Sequence, residues 1–253
     1  MKIGSLFAGI GGLELGLARA IPGARVAWQV EQDPYARAVL AKHWPAVPRY
    51  EDVRTVGAHN LSGVDLICGG FPCQDISAAG NQQGIKHGTR SGLWFEYARI
   101  VSELRPRFVV VENVAALLSG GMGIVLGDLA ACGYDAIWDC VPAQAVGAHH
   151  RRDRVFIFAW LADFHSARLE RHGPAGNAGQ VCPQKAASMF RRSLGHVAAW
   201  EPEPNVGRVA SGVPRRVDRL RCLGNAVVPQ VAEVIGRVVA EIAAGGPPKR
   251  RGA

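Results

Sequence analysis

Two short stretches carry residue types able to do covalent chemistry. The first is Gly69-Gly70-Phe71-Pro72-Cys73-Gln74-Asp75-Ile76-Ser77. An apolar run over residues 64–68 leads into it, so Cys73 is expected just past the carboxyl end of a strand. The paired glycines permit unusual backbone angles, and Pro72 stiffens the approach to the thiol. The second is Glu112-Asn113-Val114, which closes the β-branched run 108–111. Neighbouring strands of a parallel sheet end on one rim, which brings the Cys73 thiol and the Glu112 carboxyl together. A thiolate beside a carboxylic acid suits addition to a pyrimidine. Cytosine C5 is a poor nucleophile, but sulfur addition at C6 makes it enamine-like and able to attack a sulfonium methyl group. An acid bonded to N3 lowers the barrier to that addition. Loss of the C5 proton then expels the thiolate. The thiolate is the reactive form, so cationic neighbours are expected to favour it.

A second constellation suits an adenosine-containing ligand. The first apolar run, 3–7, passes into Phe7-Ala8-Gly9-Ile10-Gly11-Gly12 and then a helical pattern. Glycines there allow a tight turn and leave room for a ligand at the strand's carboxyl end. The next strand-like run, 26–30, is followed by Glu31, placed to accept hydrogen bonds from both hydroxyls of a ribose. Asp52 follows the next helix and is a candidate for an adenine amino group. A nicotinamide dinucleotide is disfavoured, because Gly16 falls a helical turn too late for the Gly-x-Gly-x-x-Gly pattern.

The elements that would carry these residues alternate. Strands are expected over 3–7, 26–30, 64–68 and 108–111, and further candidates lie at 134–141 and 155–159. Helices are expected over 13–20, 34–43, 94–104 and 122–132. Such alternation predicts an α/β fold, a parallel sheet covered on both faces. From 163 to 221 the periodicity fades and glycine, proline and arginine dominate. A helix returns at 230–243, and the PPKRRGA tail is expected to be disordered. The domains are therefore read as 1–162 catalytic and cofactor-binding, 163–221 a short recognition region, 222–246 a segment returning to the catalytic domain, and 247–253 a basic tail.

The 253 residues are 48% hydrophobic with a net charge of +8, mostly from arginine, which favours a polyanionic partner. No run is long enough to span a bilayer and no signal peptide is evident, so a cytoplasmic setting is expected. The six cysteines form no Cys-x-x-Cys pair, which argues against structural zinc.

Taken together, five segments resemble, in order, the motifs of the DNA (cytosine-5)-methyltransferase family: FAGIGG at 7–12, GGFPCQDIS at 69–77, RSGLW at 90–94, ENV at 112–114 and GNAVVP at 224–229. The resemblance implies a Rossmann-like S-adenosylmethionine-dependent methyltransferase fold with a small, loop-rich target-recognition domain. It implies that Phe7, Ala8, Gly9, Gly11, Gly12, Glu31, Asp52, Asn225 and Val227 line the S-adenosylmethionine site. Cys73, with Pro72 beside it, would be the nucleophile, and Glu112 would contact cytosine N3. Gln74, Ser77, Asn113 and Arg154 are candidate substrate contacts. The family's Gln-x-Arg-x-Arg motif has His150 at its first position here, followed by Arg152 and Arg154. Arg152 is read as the partner of the cytosine O2 edge, and Arg154 as partly structural. The ninth motif is not recognisable around 213–218.

The implied substrate is double-stranded DNA, from which cytosine must be flipped. The implied enzyme is a monomer that needs no metal. The 70–83 loop would be a lid over the base, and the 163–221 arginines would read DNA. Two rival readings are an inactive DNA-binding homologue and a tRNA methyltransferase of the same family, although the Cys-Phe-Thr signature of the latter is missing.

Overall fold

The computed structural model describes residues 1–73, 85–86, 88–162 and 214–244. Gln74 and Ser77 lie outside these residues, as do most of the 70–83 loop, residues 163–213 of the recognition region and the 247–253 tail.

The order is β1 (Lys2–Leu6), α1 (Gly12–Ala20), β2 (Arg25–Val30), α2 (Pro34–His43), β3 (Arg49–Tyr50), β4 (Leu66–Gly69), α3 (Trp94–Leu104), β5 (Phe108–Val114), α4 (Leu117–Gly120), α5 (Met122–Ala131), β6 (Tyr134–Pro142), β7 (Asp153–Leu161), α6 (Arg216–Asn225) and α7 (Pro229–Ala243). The strands form one sheet in the order β3-β2-β1-β4-β5-β7-β6. This is the expected Rossmann-like α/β arrangement, with one difference. The sequence pattern predicts a parallel sheet, yet β7 runs antiparallel to both β5 and β6. The connection 143–152 holds only a 3-10 turn, Ala143–Val146. That is too short for the helical crossover a parallel neighbour needs.

Period-two burial along the strands builds a three-layer sandwich. On one face, Ile3, Leu66, Phe108, Val110, Phe156 and Phe158 pack with residues of α1 and α7. On the other, Leu6, Ile67, Val109, Val111 and Ile157 pack with residues of α3, α4 and α5. Each fully buried aliphatic side chain contributes about 1.5–3 kcal/mol of hydrophobic stabilisation. Two glycines set the α1–α7 approach: a Cβ on Gly16 would meet the Ala232 Cβ at 2.5 Å, and one on Gly236 would meet the Ala20 Cβ at 2.7 Å.

Local signals set the helix ends. Asp33 caps α2 by accepting from the Tyr35 and Ala36 amides at 2.8 and 3.0 Å, and Pro34 takes its first position. Arg105, in a left-handed conformation at φ 44°, ends α3 just before Pro106. Helix α6 begins inside the segment expected to be irregular. None of its residues is buried, so no core-facing periodicity announces it in the sequence. No helix among the described residues is long and apolar enough to cross a membrane.

Candidate active site

The carboxyl ends of β1, β2, β4 and β5 border one cleft of about 790 Å³. At the end of β1 the chain turns through Phe7, Gly9 and Gly11, all at positive φ (54°, 57° and 89°). Glycine takes this conformation freely, whereas Phe7 does so at a cost of about 1–3 kcal/mol, as strained residues at ligand sites often do. Its ring stacks on Tyr97 with centroids 6.5 Å apart. A Cβ on Gly9 would meet nothing within 4 Å, so the turn leaves space on the cleft side. A Cβ on Gly12 would collide with the Val227 carbonyl; glycine there lets the C-terminal segment close against the turn.

Glu31 braces the same turn. One of its oxygens accepts from the Gly9 amide and the other from the Asp33 amide, both at 2.7 Å. Burial pushes its carboxyl up, against those two hydrogen bonds. Each oxygen keeps a lone pair for a ligand hydroxyl. Asp52 also lines the cleft. It caps the 3-10 turn Val53–Thr55 and holds Arg54 by a forked ion pair, closest at 2.6 Å. The Arg54 guanidinium keeps the Asp52 carboxyl below the usual range.

At the other end of the cleft lie Pro72, Cys73, Glu112, Asn113 and Arg154. Glu112 is buried, and a Cβ on Gly70 would stand 2.5 Å from its Oε2. Only glycine lets the Cys73 loop pass so close. Asn113 Nδ2 donates to the Phe71 carbonyl at 3.1 Å and ties that loop to β5. Arg154 Nε pairs with Glu112 Oε1 at 3.0 Å. Burial raises the Glu112 carboxyl to about 7, against the lowering pull of Arg154 and Arg152. Burial and then the Glu112 charge raise the Cys73 thiol, and Arg154 only partly offsets them. The expectation that cationic neighbours favour the thiolate therefore describes Arg154 but not the net effect.

The two arginines divide differently from the sequence reading. Arg154 lines the cleft, while Arg152, at φ 38°, donates to the Gly224 and Ala226 carbonyls on either side of Asn225, and its charge still acts on Glu112. The cause is the reversed strand. Because β7 is antiparallel to β5, its beginning stands at the rim where β5 ends, with Arg154 opposite Val114.

Asn225 lines the cleft, and Ala8, Gly12 and Val227 line a smaller chamber beside it. Sequence reasoning missed Arg221 and Cys222 of α6 at the cleft mouth. Arg221 pairs with Asp33 at 2.5 Å, a contact between distant segments that no local pattern signals. It also missed Ser5 and Glu14 in the chamber wall. Among the described residues no group of three His, Cys, Asp or Glu side chains is placed to hold a metal ion.

Residues 1–190 match the family model for C-5 cytosine-specific DNA methylases. Over 169 residues, 64% of this chain, the sequence is 37% identical to Type II methyltransferase M2.BsuMI of Bacillus subtilis and covers 42% of that protein. An E. coli prophage protein described as a DNA modification methyltransferase is 30% identical, with a TM-score of 0.55 over 74% of this chain and 54% of its own. EhMeth, a methyltransferase of Entamoeba histolytica, is 14% identical and shares the fold at a TM-score of 0.64, over 96% of this chain and 98% of its own. The chain spans about half the length of the curated relatives it matches. The matched region contains the glycine turn, the Cys73 loop, Glu112 and Arg154, and the chain belongs to the C-5 cytosine-specific DNA methylase family.

Proposed function

We propose that this chain transfers a methyl group from S-adenosylmethionine to carbon 5 of cytosine in a short sequence of double-stranded DNA. The observation that carries this reading is the meeting of Cys73, Glu112 and Arg154 in the cleft that also holds Glu31 and Asn225. The donor set fits the cofactor: a braced carboxylate for a ribose, an open glycine turn, and the C-terminal Asn225–Val227 segment closing beside them. S-adenosylmethionine, when bound, supplies an electrophilic methyl group on sulfur.

The chain's own residues do the rest. Cys73 gives up its proton and its sulfur adds to C6, forming a covalent bond to the base. Glu112, half protonated near neutrality, donates to N3 and takes up the charge that addition pushes into the ring. Arg154 holds Glu112 in place and is assigned the cytosine O2 edge, in place of Arg152. C5, now enamine-like, takes the methyl group. The C5 proton then leaves, the Sγ–C6 bond breaks, and its electron pair returns to sulfur. Cytosine must leave the stack to reach this pocket, at a cost of a few kcal/mol. Gln74 and Ser77 would contact the flipped base and the 70–83 loop would cover it. The arginines of 163–221 would supply phosphate and base-edge contacts.

The test is base-resolution mapping of 5-methylcytosine in a methylation-free bacterial host. One culture expresses this chain and another its Cys73→Ser variant. Methylation at one short motif, absent from the variant, supports the activity and the nucleophile together. Soluble protein without methylation in either culture refutes the DNA-modifying reading. Methylated tRNA with unmodified DNA reassigns the substrate.

A further inference from the structure

Helix α6 borders the mouth of the cleft, where its Arg221, Cys222 and Asn225 line the wall. None of its residues is buried. Its apolar side chains Val217, Leu220 and Leu223 are 78%, 57% and 61% exposed. The hydrophobic burial that fixes α1 and α7 on the sheet is thus missing from α6 among the described residues, and contacts of another kind hold it.

The two ends of α6 are fastened differently. At its end Arg152 donates to the Gly224 and Ala226 carbonyls, and α7 follows at Pro229 with Val231 and Ala232 already in the core. Ala226, between the two helices, is extended at φ −66° and ψ 143°. Farther back, α6 reaches the start of α2. Arg221 Nη2 pairs with Asp33 Oδ2 at 2.5 Å, and the Arg215 guanidinium lies over the Tyr35 ring, 6.0 Å from its centroid. Asp33 is itself fixed: its amide donates to Glu31 Oε1, and its Oδ1 caps α2. Burial and then the Asp33 charge raise the Cys222 thiol, while Arg221 lowers it and Glu31 raises it further. This stretch of α6 therefore lies within the field of the carboxylate assigned to the ribose. Asp218 competes for the same Arg221 nitrogen at 3.2 Å, and the Arg221 side chain is 53% exposed. A pair of this kind is weak and screened by salt.

We infer that α6 is a strap latched by charge over the cofactor end of the cleft, with Arg221 as the positioning residue that closes it onto Asp33 and the turn at Ala226 as its hinge. This rests on the cofactor reading proposed above. The ligand enters and leaves while the Arg221–Asp33 pair is open. The consequence is kinetic. A latch that holds the unliganded and the liganded cleft shut alike slows entry and exit by the same factor and leaves affinity unchanged. A side chain that only touches the ligand slows exit and leaves entry as it was.

The test is stopped-flow binding of S-adenosylhomocysteine, a zwitterion without net charge, to the full chain, followed by tryptophan fluorescence. Arg221→Met should raise the association and dissociation rates together, by about threefold for an exposed pair, and change Kd by less than about twofold. Asp33→Asn keeps an oxygen to cap α2 and should give the same rise. The double variant should add nothing to either single one, because the pair is lost once. In the wild type, raising NaCl from about 50 to about 500 mM should speed both rates by a similar factor, and Arg221→Met should respond less. Faster dissociation with unchanged association would make Arg221 a contact of the bound ligand and overturn the latch. So would wild-type rates indifferent to salt, a result that needs no variant to fold. Binding at equal rates in the wild type and all variants would remove the latch and leave the cofactor reading standing. No binding of S-adenosylhomocysteine to the wild type would remove the cofactor reading and the latch with it.

Discussion

Replacing Glu112 with glutamine should change the shape of the pH–rate profile as well as its height. In the proposed mechanism the carboxyl must be protonated and the Cys73 thiol ionised. Burial holds the carboxyl at about 7 and raises the thiol above its ordinary value. The resting protonation states are thus the reverse of what the reaction needs over much of the range. Below pH 7 the wild-type rate should climb tenfold per pH unit as thiolate forms. Between pH 7 and the thiol value, each gain in thiolate is cancelled by loss of protonated Glu112, and the profile flattens. Glutamine does not titrate, so the variant should keep climbing through pH 7 up to the thiol value. That value itself moves down once the Glu112 charge is gone. The variant-to-wild-type ratio should therefore grow by about fiftyfold between pH 7 and pH 9. The assay is kcat/KM for methyl transfer to duplex DNA between pH 5.5 and 9.5, read as values of the coupled pair. A bend near pH 7 that survives in the variant would refute the assignment of Glu112. A wild-type bend near the ordinary carboxylate value would refute the effect of burial.

Other expectations follow from the same geometry. Glu14→Gln should stabilise the unliganded protein by up to about 3 kcal/mol at pH 8 and by less than about 1 kcal/mol at pH 5. The sign follows because the folded-state value is raised to about 7, so the wild type loses stability as pH rises from 4.5 through 7; urea denaturation at both pH values checks it, and equal shifts would count against it. Arg154→Met should lower kcat by about 100-fold or more by removing the Glu112 partner. Arg152→Met should instead raise the cofactor KM by loosening the Gly224 and Ala226 carbonyls, and steady-state kinetics separates the two. Gly236→Val should cost about 2–4 kcal/mol by forcing α7 off Ala20 and Leu17. Gly123→Ala, with nothing within 4 Å of the added Cβ, should stabilise α5 by about 0.5–1 kcal/mol in a thermal melt.

Much of this protein is written locally. The bounds of α2 and α3 agree with the sequence reading, because Pro34 after Asp33 and Arg105 before Pro106 are signals that act within a few residues. The Cys73 loop, Glu112, Glu31 and the glycine turn were legible because each follows directly on a strongly apolar run at the end of a strand, and strand ends share a rim. The two-residue β3 and the unburied α6 were not, since neither has an apolar period to display. Tertiary structure alone decided the direction of β7. That direction follows from the returning chain's insertion between β5 and β6, beside the strand it has just left across a short connection. It delivers Arg154 to Glu112 and sends Arg152 to the C-terminal segment, although the two arginines stand two residues apart in the sequence. The same holds for Ser5 and Glu14: each reads as an ordinary polar residue in an apolar run, and only the packing of α1 against the sheet buries both beside the cleft.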